Sequence, residues 1–206
     1  MADALGRRRL ARAAALLNAR GGFTGRLPAL VLMTDDARLS DPLPAAAALP
    51  RGSAVVLRHR DAGERARLGP ALAAIARVRS LVLLIAGDAA LADRIGADGL
   101  HLSEAHAHEA LHWRALRPNW LVTAAAHSER AVLAAARARA HAAFLAPVFS
   151  TESHADARAL GVSRFLLMAR RAQIPLYALG GIDARNAGRL SGVRAAGIAA
   201  VAALRC

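Results

Sequence analysis

The chain has 206 residues, 55% of them hydrophobic and 3% aromatic, and a formal charge of +13 at pH 7. This length sets a single domain over residues 1–206 as the expectation and admits a (β/α)8 barrel at the small end of its range, while the apolar content excludes global disorder. The charge is carried by arginines spread along Ala-rich segments with few aromatics to stack bases, which argues against a nucleic-acid partner and for an anionic small-molecule ligand.

Residues 1–20, MADALGRRRLARAAALLNAR, read as a basic amphipathic helix with Leu5, Leu10, Ala13, Leu16 and Leu17 on its apolar face. The segment is acid-poor and Arg-rich like an organellar transit peptide, but a packed or surface helix is the preferred reading. Gly21 and Gly22 end it, so the helix occupies 1–22 and the rest of the fold 29–204. Ala29 to Thr34 is the first strand. Asp41 to Pro50 is a short Pro-bounded Ala segment, and Ser53 to Leu57 is the second strand, running into Arg58-His59-Arg60. Glu64 to Arg79 has helical period. Leu81 to Ile85 is the third strand, followed by a helix from Ala89 to Ile95. Gly99 to Leu102 is a short fourth strand, and Glu109 to Arg117 a helix stopped by Pro118. Trp120 to Ala126 is the fifth strand; Ser128 then caps a helix over Arg130 to Ala140. The apolar run Ala142 to Phe149 is the sixth strand, emptying into a hydroxyl-rich loop before a helix from Ser163 to Arg171. Leu176 to Leu179 is the seventh strand, Asp183 to Leu190 a helix, and Gly197 to Leu204 the eighth strand.

Eight short apolar strands without in/out alternation, separated by helical patterns, point to a parallel sheet buried on both faces and to a TIM barrel lacking its eighth helix, with an extra N-terminal helix. The last strand still needs an outer cover. The N-terminal helix or a neighbouring subunit of a homodimer fills that slot. No apolar run reaches the roughly 18 residues that span a bilayer, so no membrane association is expected. Cys206 is the only cysteine, which excludes an internal disulfide and a Cys-based zinc site and suits the reducing cytoplasm.

In a barrel the chemistry sits at the carboxyl ends of the strands. Those ends carry Thr34-Asp35-Asp36, Arg58-His59-Arg60, Gly87-Asp88, Ser103-Glu104, His127-Ser128, Ser150 to His154, Gly180-Gly181 and Ala202-Ala203. Gly180 and Gly181 let backbone N–H groups approach a phosphate, the more so with Asp183-Ala-Arg-Asn behind them as a capped helix start; a turn needed only for packing is the alternative. Arg58 and Arg60, two apart on a strand end, face one way and suit a carboxylate or phosphate, or else pair with acidic neighbours such as Asp61 or Asp88. His127 ends a buried strand and can move a proton near neutral pH. His101, inside strand four, reads as a satisfied core histidine. His106, His108 and His112 have helical spacing but read as a solvated face rather than a metal site.

Taken together, IGADGLHLSE (95–104), AHSERAVLAAARARAHAAFLAPVFSTES (126–153), LGVS (160–163) and IPLYALGGIDARN (174–186) resemble the thiamin phosphate synthase/TenI family over nearly the whole chain. The resemblance implies a (β/α)8 barrel that binds a thiazole phosphate. Its synthase branch couples that thiazole to a pyrimidine pyrophosphate with Mg²⁺, using Gln-x-Arg-x-Lys after strand two, aspartates after strands three and four, a serine in strand five and a lysine in the strand-six loop. Here those positions hold Val56, Arg58 and Arg60, then Gly87 and His106, Ala125, and His154. Asp88, beside the lost position, and His106, at the second, are the residues left to hold a rearranged metal site. The TenI branch, the thiazole tautomerases, resembles this chain more closely, with Arg-x-Arg matched by Arg58 and Arg60, glycine by Gly87, and a proton-transfer histidine by His127.

The resemblance therefore implies a metal-independent tautomerase without a cofactor. His127 shuttles the proton. Gly180, Gly181 and the backbone near Ala202 hold phosphate, Arg58 and Arg60 the substrate carboxylate, and Thr151 and Ser153 hydrogen-bond the substrate; Gly161 of the LGVS segment joins this binding set. The alternatives are a thiamine phosphate synthase with a rearranged Mg²⁺ site and a non-catalytic paralogue that binds thiazole or thiamin phosphates.

Overall fold

The computed structural model describes residues 4–25, 27–151 and 159–205. Eight parallel strands close into a barrel in sequence order, β1-β2-β3-β4-β5-β6-β7-β8. They are β1 (Leu30–Met33), β2 (Ala54–Leu57), β3 (Val82–Ala86), β4 (Gly99–Leu102), β5 (Leu121–Ala126), β6 (Ala142–Leu145), β7 (Leu176–Leu179) and β8 (Gly197–Ala200). Closure comes from the pairing of β1 with β8, Leu30 opposite Ile198 and Leu32 opposite Ala200. Six of the eight strands are four residues long, too short to show any alternation, and nearly every strand residue is buried, as a sheet covered on both faces requires. Inside, the Phe144 ring stacks on Tyr177 at 4.5 Å and the His101 ring meets Phe144 edge-on at 4.9 Å, joining β4, β6 and β7. The Tyr177 hydroxyl donates to the Pro28 carbonyl at 2.7 Å, and burial pushes its pKa up.

The outer layer is α1 (Ala4–Gly21), α2 (Leu43–Ala47), α3 (Ala62–Arg79), α4 (Ala89–Ile95), α5 (Ala110–Leu116), α6 (Glu129–Arg137) and α7 (Gly161–Arg171). Three of the helices after a strand are capped as their sequences direct: Asp61, Asp88 and Ser128 accept the N–H groups of Glu64, Leu91 and Ala131. Among the described residues the eighth strand is followed by a 3-10 turn, Ala202–Leu204, and α1 packs over β8 and β1. The cover over the last strand is thus internal. The face that α1 buries is Leu10, Ala14, Leu17 and Asn18, while Leu5 and Leu16 stay about half exposed. A face containing all five of the apolar residues expected from sequence is therefore not what packs. On a helix Leu5 and Leu16 fall together, about 120° around the axis from Leu10 and Leu17.

Three boundaries lie four residues from the sequence reading. The sixth strand stops at Leu145, two residues before Pro147, which has no N–H to give the ladder. The segment after β7 does not form the expected helix from Asp183 but a bonded turn and a short 3-10 stretch, Ala187–Leu190. The eighth strand ends at Ala200 rather than Leu204.

Candidate active site

The carboxyl ends of the strands open into a cavity of about 1720 Å³ with an apolar floor that includes Met33, Ala86, Leu100, Ala125 and Ala200. Three groups of polar residues rise from its rim.

The first follows β1 and β2. The Arg58 backbone N–H donates to Thr34 Oγ1 at 2.8 Å, and its guanidinium Nη1 lies 3.2 Å from Asp35 Oδ2. Asp35 is 8% exposed and also takes Arg38 through Nε at 3.2 Å and Nη2 at 2.9 Å. Arg38, with Arg58 adding charge, holds the Asp35 carboxyl down to about 2. The acidic partner of Arg58 is thus Asp35. Of the two acids named from sequence, Asp61 caps α3, and Asp88 caps α4 and faces Arg65 at 3.5 Å. The Arg60 N–H reaches Asp36 Oδ2 at 3.4 Å, and its guanidinium has no partner among the described residues. Arg58 and Arg60 both line the cavity, one braced and one open to a ligand.

The second group follows β4 and β5. His127 Nδ1 lies 2.7 Å from Glu104 Oε2, and the same oxygen accepts the His127 backbone N–H at 2.8 Å. Below them His101 is buried, its Nδ1 2.9 Å from Thr123 Oγ1. Desolvation, with a smaller push from the Arg58 charge, lowers its pKa to about 4, so the ring is neutral near pH 7. His106 and His108 bond locally, to Ser103 Oγ at 2.7 Å and the Ala105 carbonyl at 3.0 Å, and both are exposed, as is His112.

The third group follows β6, β7 and β8. Gly180 and Gly181 have φ of +96° and +64°. A Cβ on Gly180 would lie 2.8 Å from the Pro147 Cα, and one on Gly181 would lie 2.5 Å from the Ser150 carbonyl oxygen. Packing therefore requires both glycines, whatever else they do. Asn186 frames the pair: its Nδ2 donates to the Gly181 carbonyl at 2.7 Å and its Oδ1 accepts from the Asp183 N–H at 3.0 Å. Thr151 lines the cavity with its hydroxyl buried and unpartnered among the described residues. Ala202 also lines it. Gly161 does not; it opens α7 with its N–H on the Val148 carbonyl at 2.9 Å. Ser153 and His154 lie outside the described residues.

The residues offered from sequence for a rearranged magnesium site, Asp88 and His106, do not fit that ion. Mg²⁺ takes hard oxygen ligands in near-octahedral geometry. Among the described residues no three His, Cys, Asp or Glu side chains come together to hold a metal. The Asp88 carboxylate is committed to its cap and to Arg65, and the His106 ring to Ser103.

Asp35 and Glu104 are the functional candidates that sequence reasoning did not assign. Both appeared as members of strand ends, and Glu104 closes the IGADGLHLSE segment, but nothing local in the sequence names the partner of either one. Their partners sit 23 residues away, on the next strand.

Comparison with known proteins agrees with the geometry. A family model described as thiamine monophosphate synthase matches residues 30–204, the whole barrel. A thiamine-phosphate synthase of Chromobacterium violaceum is 35% identical over 176 residues, covering 82% of this chain and 83% of its own. One from Chlorobium luteolum is 33% identical over 182 residues, covering 86% and 85%. Among solved structures, thiamine phosphate pyrophosphorylase from Pyrococcus furiosus superposes with a TM-score of 0.70 at 25% identity, covering 89% of this chain and 88% of that one. With a barrel of the right strand order, a strand-end cavity and a family match that spans both, the chain belongs to the thiamine monophosphate synthase family of enzymes.

Proposed function

We propose that this enzyme is a metal-independent tautomerase acting on a carboxylated thiazole phosphate. The observation that carries the reading is that one cavity brings together His127, an arginine corner and a glycine–threonine corner. The backbone of Gly180 and Gly181 and the backbone near Ala202 hold the phosphate end, and the Thr151 hydroxyl, with Ser153 of the same loop, hydrogen-bonds the substrate. Both glycines line the cavity and have no side chain to keep an anion from the backbone. Arg58 and Arg60 grip the carboxylate, with charge-assisted bonds that a planar guanidinium makes in pairs. The substrate then lies with its ring beside His127. The imidazole takes a proton from one ring-system position and returns it at another, so the ring becomes aromatic with no net change in atoms or charge. Neutral His101 contributes apolar floor rather than charge. The lone cysteine and the family's biosynthetic chemistry support a cytoplasmic setting.

The test is a tautomerisation assay with purified protein and EDTA present. Turnover is expected in the wild type and a fall of about 100-fold or more in His127→Ala, the range for loss of a general acid–base group. Wild-type-like turnover in the mutant removes the histidine's role. The relatives' names favour a second reading, thiamine phosphate synthesis. Magnesium-dependent product from a pyrimidine pyrophosphate and thiazole phosphate establishes that reading instead; the positions of Gly87, Asp88 and His106 favour no such product.

A further inference from the structure

Glu104 opens the 3-10 turn Glu104–Glu109 that follows β4, and His127 is the first residue after β5. The two strands are neighbours, with Leu102 opposite Ala124, so the residues just past their ends face each other across the cavity rim. One carboxylate oxygen of Glu104 accepts two bonds from one residue: the His127 backbone N–H at 2.8 Å and the ring Nδ1 at 2.7 Å. A carboxylate can only accept, so Nδ1 carries the hydrogen. In the neutral ring Nε2 is then the bare nitrogen. The pair does little for the fold, because both side chains are about half exposed and water competes for the bond. What the arrangement fixes is chemistry: gripping backbone and ring through one oxygen restricts the ring's rotation and selects its tautomer. Both residues line the cavity, and the Glu104 carboxylate has no other partner among the described residues.

We propose that Glu104 is a positioning residue that holds His127 in its Nδ1–H tautomer and so makes Nε2 the atom that takes and returns the substrate proton. The catalytic half of this rests on the tautomerase reading; the tautomer itself does not. Free imidazoles favour the opposite, Nε2–H form, so the effect is measurable without substrate. The experiment is a long-range ¹⁵N–¹H correlation spectrum of the histidine rings in the uniformly labelled full chain at a pH where they are neutral. His127 is assigned by comparison with His127→Gln, and the same spectra report that each variant is folded.

The wild type is expected to show His127 as Nδ1–H. Glu104→Ala is expected to move it to Nε2–H. Glu104→Gln, whose amide oxygen still accepts, is expected to keep Nδ1–H. In the tautomerisation assay Glu104→Ala is expected to lose about 10-fold or more in kcat with KM within about 2-fold, and Glu104→Gln to recover most of that loss. An Nε2–H ring in the wild type, or a tautomer unmoved by Glu104→Ala, overturns the positioning. A moved tautomer with unchanged kcat overturns its catalytic part. Spectra as expected beside an inactive wild type refute the tautomerase reading and leave the positioning of His127 standing.

Discussion

Asn18 on α1 donates its side-chain amide to the carbonyl of Ala196, the residue before β8, at 2.6 Å across 178 residues of sequence. The same nitrogen reaches the Leu27 carbonyl at 3.1 Å. Asn18 is 3% exposed, so these bonds are made out of water, and they fix the helix over the last strand where an eighth outer helix would lie.

Asn18→Ala leaves the Ala196 carbonyl without its buried donor. Such a loss costs about 2 kcal/mol, which in a chain of this size lowers the melting temperature by roughly 4–8 °C. Removing residues 1–20 takes Leu10, Ala14 and Leu17 as well and uncovers β8, so the truncated chain is expected to be insoluble or to lose its cooperative transition. Circular dichroism melting of both proteins checks this; a truncation that melts like the full chain refutes the structural role of α1.

Arg58 and Arg60 differ in how they are held. Arg58 is braced by Asp35 and Thr34, whereas the Arg60 guanidinium is unpaired among the described residues. Replacing either by Ala is expected to raise KM for the carboxylated substrate about 10-fold or more, the worth of a charge-assisted bond, while kcat changes much less. Affinity for the same thiazole phosphate without its carboxyl should hardly move. Equal losses for both ligands would assign the arginines to phosphate instead.

Gly181→Ala introduces a Cβ at 2.5 Å from a backbone oxygen and forces an L residue to a φ of +64°. The loop after β7 must shift, at a cost of roughly 1–3 kcal/mol. Because the same backbone is assigned to phosphate, inorganic phosphate and thiazole phosphate are both expected to bind at least about 10-fold more weakly by calorimetry. Unchanged binding in the destabilised variant would reduce Gly181 to a packing residue.

His101 links acid sensitivity to the barrel core. Its folded pKa of about 4 lies below the ordinary 6.5, so between these values the unfolded chain binds the proton and the folded chain does not. Stability must therefore fall as pH drops from about 6.5 toward 4, by about 3 kcal/mol from this group alone. Denaturant titrations across that window should show the slope in the wild type. In His101→Gln it should flatten; an unaltered pH slope would assign the effect elsewhere.

The apolar runs LVLM, AVVL, GLHL and LYAL are strands in the sequence because each is short, unbroken and bounded by turn residues, and each is a strand in the barrel. His127, Gly180 and Gly181 were legible for a related reason. A barrel puts strand ends at one mouth, so their position in the chain already locates them. The helix expected from Asp183 was not legible, since its capping residues bond one another and Gly181 instead of starting a helix.

From its sequence alone, then, this protein is a barrel with a histidine, two arginines and a pair of glycines at its mouth, because hydrophobic period and strand order are local properties. Tertiary structure decided which partner each of those residues has. Asp35 braces Arg58, Glu104 holds His127 and Asn18 ties α1 to β8, and each pair depends on strand register or helix placement that only the closed barrel sets. A side chain's neighbour across a parallel sheet is fixed by hydrogen-bond register between distant segments, and no local pattern encodes that pairing.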